Sequence, residues 1–98
     1  MSIVKIDGTR LELFENSGTL IRTITGNAVS ASLSMDETEI VVVTETGAVE
    51  RWDVRGNYRQ TITGGATSAR YSGDNIIVYL ESGVVEVRDS RGNHLRNI

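Results

Sequence analysis

Residues 39–64 read EIVVVTETGAVERWDVRGNYRQTITG, and the reading of this stretch decides the fold. Ile40–Thr44 is an apolar, β-branched run, too short for a helix and suited to a strand buried on both faces. Glu45-Thr46-Gly47 supplies a turn. Ala48–Asp53 and Tyr58–Ile62 are two further candidate strands, separated by Val54-Arg55-Gly56. A three-residue hairpin loop that ends in glycine fits a type I turn closed by a left-handed residue. Such a loop sets a register in which Asp53 opposes Asn57, Trp52 opposes Tyr58, Arg51 opposes Arg59 and Glu50 opposes Gln60.

Imperfect copies lie on both sides. In the first, the loop is Asn16-Ser17-Gly18, so Phe14 faces Leu20 and Glu12 faces Arg22. In the last, Ser90-Arg91-Gly92 places Arg88 opposite His94 and Glu86 opposite Arg96. Gly18, Gly56 and Gly92 then stand at steps of 38 and 36 residues. Four short strands per unit at a spacing near 40 residues predict antiparallel blades of a β-propeller.

Labelled A to D from the axis outward, the strands run BCD, ABCD, ABCD. Blade one covers 2–25 and lacks strand A, blade two covers 27–63, and blade three covers 65–98 of a single domain, 1–98. Composition fits this placement. The strands nearest the axis, Ala28–Ser34 (AVSASLS) and Ala66–Ser72 (ATSARYS), are rich in small side chains. Ile40–Val43 and Ile76–Leu80 are apolar on both faces, as strands between two blades should be. Tyr58-Arg59-Gln60-Thr61 is polar, as an outermost strand should be.

The arrangement resembles the WD-repeat β-propellers over essentially the whole chain. Trp52-Asp53 stands where those proteins carry their Trp-Asp pair, with Phe14-Glu15 and Arg88-Asp89 in the equivalent places. The Gly-His pair of that family is replaced by Gly26-Asn27 and Gly64-Gly65. The resemblance implies the architecture and a binding role.

Chemistry is sparse. The chain lacks cysteine, so it has neither disulfides nor thiolates, and His94 is its one histidine. No nucleophile–base–acid set and no glycine-rich phosphate loop is visible, which argues against an enzyme and against a cofactor. Asp36, Glu37 and Glu39 cluster in one turn without the spacing of a calcium loop. A net charge of −3 argues against nucleic acid or an anionic membrane as the main partner. No run reaches the length of a transmembrane helix and no leader stands at Met1, so a cytoplasmic location is expected.

Two distributed features remain as candidate binding surfaces. Trp52 and Tyr58 share one face of blade two, Arg51 and Arg59 the other, and Arg88 and His94 lie on a face of blade three. Asp7, Glu45 and Glu81 recur at the B–C turns and form a candidate acidic rim. The expected function is a non-enzymatic interaction scaffold, with a lectin that seats sugars between blades as the alternative and a hydrolase last. Three blades do not close a ring, so association is expected through the end blades. Leu11/Leu13/Ile21 or Phe14/Leu20 would be exposed at one end and Val85/Val87/Leu95 or the reverse at the other. A homodimer of six blades is slightly favoured over a homotrimer of nine.

Overall fold

A computed structural model describes residues 2–98 as an all-β chain of eleven strands. The strands are β1 (Ser2–Asp7), β2 (Arg10–Glu15), β3 (Leu20–Thr25), β4 (Ala28–Leu33), β5 (Glu39–Thr44), β6 (Val49–Asp53), β7 (Tyr58–Thr63), β8 (Ala66–Ser72), β9 (Asn75–Leu80), β10 (Val85–Arg88) and β11 (His94–Asn97). They form three antiparallel sheets ordered β1-β2-β3, β4-β5-β6-β7 and β8-β9-β10-β11. Each sheet is a blade, in which every strand pairs with its neighbour in sequence.

Blades are held together through the two faces of β5, the second strand of the middle blade. In β5, Ile40 and Val42 join Leu11, Leu13, Ile24 and Ala28 in a cluster with blade one. Val41 and Val43, on the other face, join Val49, Ala66, Ala69, Ile76 and Val78 in a cluster with blade three. A strand with period-two side chains can serve two cores only if both faces are apolar. The small residues of β4 and β8 let inner strands approach closely, and the Tyr71 amide of β8 donates to Ser32 Oγ of β4 at 3.1 Å.

The turns repeat their chemistry. Gly18, Gly56 and Gly92 have φ of 97°, 90° and 91°, the left-handed conformation that a side chain disfavours. At the break between blades, Asn27 and Gly65 take φ of 57° and 68°. Asparagine and glycine tolerate that conformation best, which accounts for both pairs that replace Gly-His.

The register of the outer hairpins differs from the expected one. Trp52–Tyr58, Phe14–Leu20 and Arg88–His94 are paired as expected. Beyond them each hairpin carries a bulge, so Arg51 opposes Gln60 and Glu50 opposes Thr61. Likewise Glu12 opposes Thr23, and Glu86 opposes Asn97. The extra residues are Arg59, Ile21 and Leu95. A bulge inserts one residue into one strand and increases its twist. Its recurrence at one place in all three blades makes it part of the repeat.

Candidate functional site

The face of a blade turned toward the preceding blade is here its leading face, and the opposite one its trailing face. Trp52 and Tyr58 lie on the leading face of blade two, with ring centroids 5.6 Å apart and an edge-to-face angle of 72°. Trp52 is half-buried against the blade one cluster, and its indole N–H donates to Glu50 Oε1 at 3.0 Å. Glu50 is held by Trp52 and not by Gln60 across the strand pair, because the bulge moves Gln60 out of register and opposite Arg51.

Arg51, next in the chain, points the other way. Its Nη2 donates to Glu39 Oε1 at 2.7 Å and Oε2 at 2.9 Å, and its Nε to Oε1 at 3.2 Å. Its Nη1 donates to the Gln60 side chain and, at 3.4 Å, to the Arg91 carbonyl of blade three. Arg59, expected beside it, is the bulged residue and is exposed. The pair Arg51/Glu39 is only 11% and 22% exposed, so water screens it less than a surface pair. Glu39 begins β5 and does not belong to the turn formed by Asp36 and Glu37.

On the leading face of blade three, Glu86 links the two candidates. Arg88 Nε donates to Glu86 Oε1 at 3.1 Å, and His94 Nε2 lies 4.0 Å from Glu86 Oε2. His94 Nε2 also lies 2.6 Å from Asn97 Oδ1. The glutamates of the three blades are thus satisfied along their own strand: Glu12 by Arg10, Glu50 by Trp52, and Glu86 by Arg88.

Of these candidates Arg51 and Trp52 each line a groove, while Tyr58, Arg59, Arg88 and His94 line neither of the two. The larger, about 530 Å³, lies between blades two and three at the rim of the A–B and C–D turns. Arg51, Glu39, Asp36, Asp74 and Arg91 give it charges of both signs, and Tyr71 closes it. Tyr71 Oη is buried without a hydrogen-bond partner. Burial, and then the Glu39 carboxylate, push its pKa up to about 12, so it stays a protonated donor. The second groove, about 470 Å³, reaches the opposite rim and is lined by Trp52, Glu50, Glu45, Asn27 and Thr25. Both volumes suit a small polar molecule or a few side chains of a partner. Glu39, Gln60 and Tyr71 are the residues that sequence reasoning missed. The bulge and the crossing of two blades, neither marked in the sequence, bring them to Arg51.

The acidic rim is less regular than expected. Glu45 and Glu81 sit in three-residue turns, and their amides donate to the Asn27 and Gly65 carbonyls at 2.8 and 2.9 Å. Asp7 instead ends β1, pairs with Arg10 across a two-residue loop, and forms an ion pair with it at 3.3 Å. The turn of blade one is one residue shorter, so its carboxylate is neutralised and displaced. Among the described residues, no cluster of histidine, cysteine or carboxylates could hold a metal ion, and no helix is long and apolar enough to cross a membrane.

No protein-family model and no curated protein matches the chain. Solved structures do. Kuenenia stuttgartiensis hydrazine synthase superposes with a TM-score of 0.75 at 16% identity, over 92% of this chain and 29% of that one. The C-terminal WD40 domain of Sif2 superposes with a TM-score of 0.74 at 19% identity, over 98% of this chain and 30% of that one. The chain spans about three-tenths of the length of each. At such identities the likeness establishes the fold alone: three antiparallel blades of a β-propeller.

Proposed function

We propose that this chain is a non-enzymatic, protein-binding propeller module whose ring is completed by further copies of itself. One observation carries the reading: the contact between blades is built twice within the chain, and its two halves recur unmatched on the end blades. In the contact between blades one and two, Leu13 lies opposite Arg22 on the trailing face, and Arg22 Nη1 donates to the Arg55 carbonyl of the next blade at 3.1 Å. Blade three repeats this with Val87 opposite Arg96. Its trailing face also carries Ile77 and Tyr79, which belong to neither core cluster; against expectation Val87, like Ile77, is buried within the blade, and Tyr79 Oη accepts from Arg70 Nε at 3.1 Å. The leading face of blade one repeats that of blade two, with Ile3, Phe14 and Leu20 in the places of Ile40, Trp52 and Tyr58. Ile3 and Leu20 are 46% and 48% exposed.

An exposed apolar face such as that of Ile3 and Leu20 marks an interface, and head-to-tail contacts that close give cyclic rings. Two copies give six blades, a common propeller size, and three give nine. The two grooves, with their mixed charges, are the surfaces offered to a second protein. The test is Leu20→Glu. Leu20 is exposed in the single chain, so the variant should keep its strand signal in circular dichroism while its mass falls to that of one copy. An unchanged mass of more than one copy would place the contact elsewhere.

A sugar-binding module is the second reading, favoured by the half-buried Trp52 ring at the wall of the smaller groove beside Glu50. Apolar sugar faces stack on such rings while their hydroxyls bond to carboxylates. It expects glycan-array binding that Trp52→Ala abolishes; retention of binding would exclude Trp52 as the platform.

A further inference from the structure

Glu12, Glu50 and Glu86 hold equivalent places on the C strands of the three blades. In blades one and three an arginine of the same strand neutralises the glutamate. Arg10 Nε lies 3.3 Å from Glu12 Oε2, and Arg88 Nη2 lies 3.1 Å from Glu86 Oε1. In blade two both arginine places hold uncharged residues: Ala48 stands in the place of Arg10, and Trp52 in that of Arg88. Among the described residues Glu50 forms no ion pair. Its Oε1 accepts from the neutral indole, and its Oε2 has no hydrogen-bond partner among those residues. We propose that the groove beside Glu50 is an arginine-binding site, filled by the guanidinium of an arginine on the protein partner.

Blade one shows the completed form of this site. Arg10 Nη2 meets Asp7 Oδ2 at 3.3 Å while its Nε meets Glu12, so one guanidinium bridges a rim carboxylate and a strand glutamate. Blade two keeps both carboxylates, as Glu45 and Glu50, and lacks the arginine. Where that side chain would lie is the smaller groove, about 470 Å³. Ala48, Glu45, Glu50 and Trp52 all line it, and no basic residue does. Thr25 and Asn27 add polar groups to the same lining.

Charge and shape set the class of ligand. Two carboxylates without a counter-ion repel an anion and attract a cation, and the partial burial of Glu50 weakens the screening by water. A guanidinium is planar and permanently charged, bonds to more than one carboxylate and stacks on aromatic rings such as that of Trp52. The inference rests on the protein-binding reading and deepens it. It does not depend on the ring, since both walls of the groove belong to one chain.

Trp52 is the only tryptophan of the chain, so its fluorescence reports from the wall of the groove. The test titrates the whole 98-residue chain at low salt with the peptide acetyl-Gly-Arg-Gly-amide. The control is the same peptide with citrulline, a neutral isostere, in place of arginine. The expected result is a saturable fluorescence change that weakens with added salt, and an affinity lower by about tenfold or more for the citrulline peptide. Glu50→Gln keeps an oxygen for the indole but removes the charge, and should weaken binding by about tenfold. Ala48→Arg should supply the guanidinium from within, as in blade one, and abolish the response without lowering the unfolding midpoint. An arginine peptide that binds no better than its citrulline counterpart, or that binds Ala48→Arg undiminished, would overturn the site. So would a methyl glycoside that gives the response where the arginine peptide does not, which would assign the groove to a sugar. Light scattering of the same samples separates the two readings. Failure of the peptide at an unchanged mass removes the arginine site and leaves the ring, whereas a single-copy mass with peptide binding intact removes the ring and supports the site.

Discussion

The contact between blades one and two and the contact between blades two and three share one apolar half and differ in the other. In the shared half lie Leu11, Ile40 and Val42 in the first contact, and Val41, Ile76 and Val78 in the second. Beside it the first stays apolar, with Leu13 and Trp52 in its cluster. The second becomes ionic, with Arg51 held by Glu39 and Gln60 and capped by the Arg91 carbonyl. The shared halves fix the stacking of blades, and the other halves differ between the two contacts. A polar, partly open half is where a propeller can recognise a partner without disturbing its fold.

The largest effects should come from the shared half and be equal at the two contacts. Leu11→Ala and Ile76→Ala remove fully buried side chains, and each should cost about 2–5 kcal/mol in denaturant unfolding. A loss several-fold smaller at one site would show that its cluster is not a core of the same kind.

The C–D turn separates the contacts next. A β-carbon at Gly56 meets only Arg22 Cδ, at 4.0 Å, whereas one at Gly92 meets Ile62 Cγ1 at 2.9 Å. Gly56→Val should cost about 1–2 kcal/mol for its left-handed backbone. Gly92→Val adds overpacking, about 1–3 kcal/mol more. Equal midpoint shifts would mean that Ile62 moves away freely.

Removing an arginine should matter more in the ionic half. Arg51→Ala deletes a partly buried, bidentate pair and should destabilise by about 1–3 kcal/mol. Arg22→Ala removes one exposed bond to a carbonyl and should cost less than about 1 kcal/mol. A double-mutant cycle of Arg51→Ala with Glu39→Gln checks whether the pair carries the difference.

The smallest effect is acid sensitivity. Asp53 accepts the Asn57 and Arg55 amides at 2.9 and 3.0 Å, and Asp89 accepts those of Asn93 and Arg91 at 2.9 Å each. The backbone bonds from Asn57 and Asn93 lower the two carboxyls below the ordinary aspartate range. A group depressed in the folded state adds stability above its unfolded pKa and loses it as pH falls through the folded one. Stability should therefore drop below about pH 4, and Asp53→Asn with Asp89→Asn should flatten that limb of a pH titration.

These features were not equally legible in the sequence. The strands, their faces and the left-handed turn glycines follow from periodicity and glycine spacing, because each depends on a few neighbouring residues. The bulges at Ile21, Arg59 and Leu95 do not, since their residue types fit an ordinary strand equally well. They shift each outer pairing by one, which is why the expected Glu12–Arg22 and Glu86–Arg96 pairs are absent. Asp7 was read as a repeat of Glu45, although one missing turn residue moves it into a strand. Trp52 and Tyr58 were found as a pair because they flank the turn directly. Tyr71 was hidden in a strand read for its small residues, and Glu39 was assigned to the preceding turn.

The central claim is that the end blades meet one another in a ring of copies. Multi-angle light scattering of the unmodified 98-residue chain at micromolar concentration tests it most directly. The account predicts a single species of two or three times 10.7 kDa whose unfolding midpoint rises with protein concentration. A folded species of 10.7 kDa with a concentration-independent midpoint would contradict it.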